Sequence, residues 1–246
     1  MANCLNIRCF ACRYIDAVAG GGGMLNLPAL LFVGVPPVSA LAVNKVTGIA
    51  GTALAVIKYA LDRKIHWRTV LYGAIPCLIA SYLGGVLALN ASAEMLLWAI
   101  LICIPIALIV VLSDKVSYSD TETKEKVSLA RTLLAVTPMG FYDGILGPGT
   151  GTYMAIAVKK ILKFDFLKAT ATIKPLNLLT NIGAAIAFLM AGKVIWTIAI
   201  PMIVASSLGG WLGSHSAIRG GEAFIRRLLV FVLIVMLVAN IFKTTG

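Results

Sequence analysis

Asp143-Gly-Ile-Leu-Gly-Pro-Gly-Thr-Gly-Thr152 and its shorter counterpart, Asp16-Ala-Val-Ala-Gly-Gly-Gly-Gly23, decide how this chain is read. Each sets an acid ahead of a run of glycines and small residues inside otherwise apolar sequence. A helix does not run smoothly through either, since glycine costs about 1 kcal/mol per site in a helix interior and proline about 3 kcal/mol. Inside a bilayer such a break frees backbone N–H and C=O groups that lipid cannot satisfy, so it persists only where it faces protein, water or a ligand. Two interrupted segments at matching places in two halves of a membrane protein point to a transport site.

The surrounding composition is that of a membrane protein. Of 246 residues, 60% are hydrophobic and 13% charged, and the mean hydropathy is +0.96. A soluble domain carries about 25% charged residues. Several apolar runs approach the roughly 20 residues that span a bilayer. The net charge of +11 comes from short basic clusters between these runs, the pattern of positive-inside topology. Without aromatic residues interleaved among the basic ones, it does not point to nucleic acid.

Working outward, a long helix is expected from Val38 to about Tyr59 and spans over Thr69–Leu89 and Met95–Leu112. The hydrophilic stretch from Ser113 divides the chain into a first membrane repeat (1–112), a cytoplasmic linker (113–128) and a second repeat (129–246). The second half has a broken segment, a helix over Ala169–Met190, a span with Pro201 and Gly209-Gly210, and a last span over Leu228–Ile241. The halves match in order. Asp16 answers to Asp143, Lys45 to Lys174, Lys64-Ile-His-Trp67 to Lys193-Val-Ile-Trp196, and Ser81-Tyr-Leu-Gly-Gly85 to Ser206-Ser-Leu-Gly-Gly210.

Charge placement sets the topology. The basic loops at Arg63–Arg68, Lys115–Arg131, Lys159–Lys168 and Arg219–Arg227 all fall on the cytoplasmic side if each broken segment enters and leaves on one face. The expected fold is therefore an all-α polytopic membrane protein of two inverted repeats. Each has three transmembrane helices plus one broken re-entrant segment, up to eight membrane segments in all. An odd number of crossings inverts the second half relative to the first. This scheme places Arg8 and Arg13 outside.

Lys45 and Lys174 carry the strongest chemical signal after the glycines. A lysine at mid-membrane costs roughly 2.5–3.5 kcal/mol on the mildest scale, and here the cost recurs at matched positions. Snorkelling to a nearby interface is the alternative reading. Asn44 sits beside Lys45, and Asn177 and Asn181 share a helix face with Lys174; Gly48 and Thr52 are their counterparts. The breaks supply the complement, because amides at a new helix start bind anions with help from the helix dipole. Gly21, Gly22 and Gly23 offer backbone donors, and Gly149, Thr150, Gly151 and Thr152 add two hydroxyls. These residues form the expected substrate site for a small anion. Asp16 and Asp143 either bind freed amides, pair with the lysines or carry a coupling ion, H+ or Na+. Gly84-Gly85 and Gly209-Gly210 read as close helix packing.

Cys9-Phe-Ala-Cys12 has the spacing of a redox or metal pair, but neither a second pair nor a nearby histidine completes a zinc site. His66 and His215 are isolated. Neither a metal, a cofactor nor a catalytic group is expected. The N-terminus does not read as a signal peptide.

The combination of Asp16-Ala-Val-Ala-Gly-Gly-Gly-Gly-Met-Leu-Asn-Leu-Pro28, Asn44-Lys45, Tyr142-Asp-Gly-Ile-Leu-Gly-Pro-Gly-Thr-Gly-Thr152 and Ala169-Thr-Ala-Thr-Ile-Lys174 resembles the TauE/SafE sulfite exporter family. That family is also known as the toluene sulfonate uptake permease superfamily. The resemblance runs from about Tyr14 to Lys243. It implies a bacterial inner-membrane transporter of sulfur-containing anions such as sulfite, sulfonates or sulfoacetate. The chain departs from the family pattern in a shorter apolar lead before the first glycine run, and in Val43 and Ile173 beside the lysines. An anion channel, or a transporter of another organic or inorganic anion, is the rival reading, and a homodimer stays open.

Overall fold

The computed structural model describes the backbone of residues 2–19, 22–100, 102 and 127–245, all of whose regular elements are α-helices. In chain order these are α1 (Ala2–Ala19), α2 (Gly22–Phe32), α3 (Pro37–Leu61), α4 (Trp67–Asn90) and α5, described over 93–100. There follow α6 (Leu129–Ile145), α7 (Thr150–Leu162), α8 (Phe166–Met190) and α9 (Trp196–Thr245). The last is two helices joined at a kink, where Gly221 takes φ 61° and ψ −164°. Almost all of the expected linker lies outside the described residues.

Local chemistry places the ends. Gly34, at φ 86°, closes α2, with Val35 N donating to Leu30 O and Gly34 N to Leu31 O. Pro36 and Pro37 then open α3, where a missing N–H costs nothing. His66 caps α4 by accepting from Thr69 N, and Asp165 caps α8 by accepting from Lys168 N.

Among the described residues, four helical stretches are long and apolar enough to cross a membrane: α3, α4, α8 and the first arm of α9 over Trp196–Gly221. They divide by burial. α3 and α8 bury about two thirds of their apolar windows, while α4 and the α9 arm bury 39% each. Along α4, Leu71, Ile75, Ile79, Leu83 and Leu87 are exposed. Their spacing of four residues makes one stripe along the helix. Ile200, Val204, Leu208 and Leu212 do the same on α9. Such faces suit hydrocarbon rather than water. Trp67 and Trp196, each about half exposed, open these two outer helices, where interface anchors are common.

The two halves of the chain interlock. α3 packs on α8 and α9, α4 on α6 and α8, and α1 on α9. Ser81 Oγ donates to Thr180 O, and Ser206 Oγ donates to Thr47 O. The glycine pairs lie at these crossings as expected. Gly84 leaves no room for a Cβ against Phe141 O, and Gly210 none against Gly51 O. Small residues thus let backbones touch where no hydrophobic force between helices is at work.

Candidate functional site

The second interruption is built by two left-handed glycines. α6 ends at Ile145; Gly147 has φ 87° and Gly149, the residue before α7, has φ 77°. A side chain at either position costs roughly 1–2 kcal/mol. Tyr142 Oη donates to Pro148 O at 2.7 Å, and Thr150 Oγ1 donates to Gly147 O at 3.0 Å. These bonds satisfy carbonyls that the broken ladder leaves over. The N-cap, Gly149, has no side chain to cap the amides that open α7, and that end of the helix carries a partial positive charge.

The first interruption falls between α1 and α2. Tyr59 Oη, fully buried on α3, donates to Ala17 O at the end of α1. Gly22 and Gly23 open α2; Gly20 and Gly21 lie outside the described residues.

The lysines and acids cross-pair. Lys45 Nζ on α3 lies 2.8 Å from Asp143 Oδ1 on α6, and Lys174 Nζ on α8 lies 3.4 Å from Asp16 Oδ2 on α1. Lys174 Nζ also donates to Asp16 O. Both amines are shut off from solvent, so neither snorkels. Of the three roles open to the acids, pairing with the lysines is the one this geometry displays. Asp143 Oδ2 remains buried without a hydrogen-bond partner among the described residues.

Arg13 is the residue the charge reading misplaced. Positive-inside counting puts it outside, yet it is 4% exposed on α1. Its Nη2 reaches Asn44 O and Asn44 Oδ1 at 2.7 Å each and Thr47 Oγ1 at 3.2 Å. Asn26 Nδ2 donates to the same Asn44 Oδ1 at 2.8 Å. Asn26 was not singled out either. The available signals were the i, i+3 spacing of Arg13 and Asp16, which puts both on one helix face, and an asparagine inside an apolar run.

These groups enclose a cavity of about 20 Å3 lined by Arg13, Asp16, Asn44, Lys45, Asp143, Gly147, Thr150, Gly151, Asn177 and Asn181. That is room for about one water. Eight of the expected site residues meet there: Asn44, Lys45, Thr150, Gly151, Asn177, Asn181 and the two acids. Gly149 stands behind the wall as the N-cap, and Thr152 is buried deeper in α7. Lys174 backs Asp16 without lining the cavity. Asn181 Nδ2 donates to Asn177 O at 2.7 Å, and Gly48 allows α3 to approach, since a Cβ there would stand 2.8 Å from Asn181 Oδ1. Neither Cys9 nor Cys12 lines this cavity. Cys9 and Cys12 are buried free thiols on α1, and Cys9 Sγ donates to Met202 O.

A small polar chamber with three cations and two carboxylates at hand, opened onto by helix amides, is chemistry for holding an anion. Comparison with known proteins gives the family. The model of the sulfite exporter TauE/SafE family matches residues 7–240. This chain belongs to the TauE/SafE family. Among curated TauE/SafE-like relatives, a probable membrane transporter protein of Sinorhizobium sp. is 35% identical, covering 94% of this chain and 89% of its own length. One from Haemophilus influenzae is 33% identical, covering 92% and 89%. The probable membrane transporter protein YfcA of Escherichia coli is also 33% identical, covering 95% and 87%. No solved structure matches the chain. As a TauE/SafE member with several bilayer-length apolar helices, the chain is a multi-pass membrane transporter and not an enzyme.

Proposed function

We propose that this protein is a secondary transporter that moves a small sulfur-containing anion, sulfite or a sulfonate, across the bacterial cytoplasmic membrane by alternating access. The observation that carries the reading is the cross-pairing of Lys45 with Asp143 and Lys174 with Asp16 around one cavity at the start of α7. Each pair ties a long helix of one half to a broken segment of the other. Rocking one half against the other therefore moves the walls of the cavity relative to each other. The two halves act as inverted repeats of up to eight membrane segments, with the basic loops on the cytoplasmic side.

An anion larger than water does not fit a chamber of this size, so loading requires the walls to part. A chamber that must widen to take the anion favours a carrier over the second reading, an anion channel. Asp143 is the place for a coupling proton. Its Oδ2, without a hydrogen-bond partner among the described residues, is where that proton would sit. Na+ is the other coupling ion to be tried.

Proteoliposomes loaded with sulfite test the proposal. A carrier gives efflux that speeds up when sulfite is added outside. Efflux that is much faster, and indifferent to outside sulfite, belongs to a channel. Absence of sulfite flux above that of empty liposomes would remove the reading.

A further inference from the structure

The ion pairs leave one cation over. Lys45 is matched by Asp143 and Lys174 by Asp16. Arg13 donates to Asn44 and Thr47, whose oxygens are neutral. Its guanidinium meets no carboxylate among the described residues. Its Nε is buried with no hydrogen-bond partner among the described residues, and the residue lines the cavity. A buried cation without a counter-ion, with one donor unused, is an expensive arrangement. It becomes favourable once an anion occupies the cavity beside it.

Resting on the anion-transport reading above, we infer that Arg13 is the substrate's counter-ion and that the site is built for a singly charged oxyanion. Three cations against two carboxylates leave one positive charge. A monoanion such as a sulfonate or bisulfite brings the cluster to neutrality, whereas a dianion such as sulfate leaves a buried negative charge uncompensated. Arg13 supplies donors in a planar frame suited to an anion with several oxygens. Thr150, Gly151, Asn177 and Asn181 line the other walls; the amide of Gly151 and the two asparagine side chains take the remaining oxygens. In this division the lysines hold the two halves together and shape the chamber, while Arg13 recognises charge.

Calorimetric titration of the full-length protein in detergent, with methanesulfonate and with sodium sulfate at pH 7, tests this. Wild type is expected to bind methanesulfonate at least about tenfold more tightly than sulfate. Arg13→Gln is expected to weaken methanesulfonate binding by about a hundredfold or more. Because loss of a buried arginine can harm folding, Asn44→Asp serves as the second variant. It keeps Arg13 and the hydrogen bond from Asn26, but sets a carboxylate against the guanidinium and should abolish methanesulfonate binding in a protein that still elutes as a folded species. Methanesulfonate binding at wild-type strength in Asn44→Asp or in folded Arg13→Gln, or tighter binding of sulfate than of methanesulfonate by wild type, overturns the inference. If wild type binds anions and these variants are unaffected, the Arg13 assignment alone fails. If wild type binds neither anion and carries no sulfite flux, the transport reading fails with it.

Discussion

Lys45 Nζ stands 2.8 Å from Asp143 Oδ1, an ion pair between α3 and α6 whose side chains are 1% and 4% exposed. Breaking one side of such a pair leaves the other charge buried and typically costs 3–5 kcal/mol, whereas replacing both with apolar groups of similar size is often neutral. Lys45→Met should therefore lower thermal stability in detergent sharply. Lys45→Met combined with Asp143→Leu should recover most of the loss. Thermal unfolding of the two variants beside wild type is the check, and equal destabilisation by single and double would show that the pair does not act as a unit.

Gly147 couples backbone strain to that pair. Its φ of 87° excludes an easy side chain, and a Cβ there would lie 3.0 Å from Lys45 Nζ and 3.3 Å from Asp143 Oδ1. Gly147→Ala should cost about 1–2 kcal/mol from the left-handed backbone, with a further loss of methanesulfonate affinity as Lys45 is displaced. Gly192→Ala is the comparison, because that glycine also has positive φ but faces open space. It should show the strain without the loss of affinity. Calorimetry and thermal unfolding of both variants separate the two effects.

Glycines at the helix crossings act by closeness rather than by φ. A methyl at Gly84 runs into Phe141 O, while at Gly85 the nearest atoms are 3.2–3.4 Å away. Gly84→Ala should force α4 away from α6 and cost about 1–3 kcal/mol, the range for overpacking. Gly85→Ala should cost less, and a larger drop in melting temperature for Gly85→Ala would contradict this packing.

His66, outside the membrane spans, gives the protein a pH dependence. Burial, then the charges of Lys168 and Arg68, hold its pKa below the ordinary 6.5. The unfolded chain, with its histidine at the ordinary value, takes up a proton first as pH falls, so acid favours unfolding. The contribution is complete above about pH 6.5 and is lost as pH drops from there through the lowered folded value. His66 Nδ1 accepts from Thr69 N as the cap of α4, so His66→Asn keeps a capping side chain. It should flatten the stability profile between pH 7 and 5. An unchanged slope in that variant would assign the dependence to other groups.

Much of this was legible in the sequence because glycine, proline and charged residues are costly inside a membrane. The break at Gly147–Gly149, the burial of Lys45 and Lys174, the close packing at Gly84 and Gly210, and the shared face of Asn177 and Asn181 all follow from local cost. What pairs with what did not follow. Asp143 and Lys45 lie far apart in the chain, and only the packing of α3 against α8, α4 against α6 and α1 against α9 brings the acid of one half to the lysine of the other. Arg13 was read as an outside charge because topology rules count cations by position in sequence. Its burial depends on Asn44 and Thr47, two polar residues of α3 that receive it across the fold. Lys174 was expected to touch the substrate directly, and it is instead engaged by Asp16 behind the cavity wall.

The most direct measurement is sulfite counterflow in proteoliposomes by the double variant Lys45→Met with Asp143→Leu, beside wild type reconstituted at equal density. The double variant should fold with near wild-type stability and yet lose counterflow to the level of empty liposomes, since the chamber no longer has the charges that close and open around an anion. Wild-type counterflow from that variant would contradict the assignment of this cavity as the transport site.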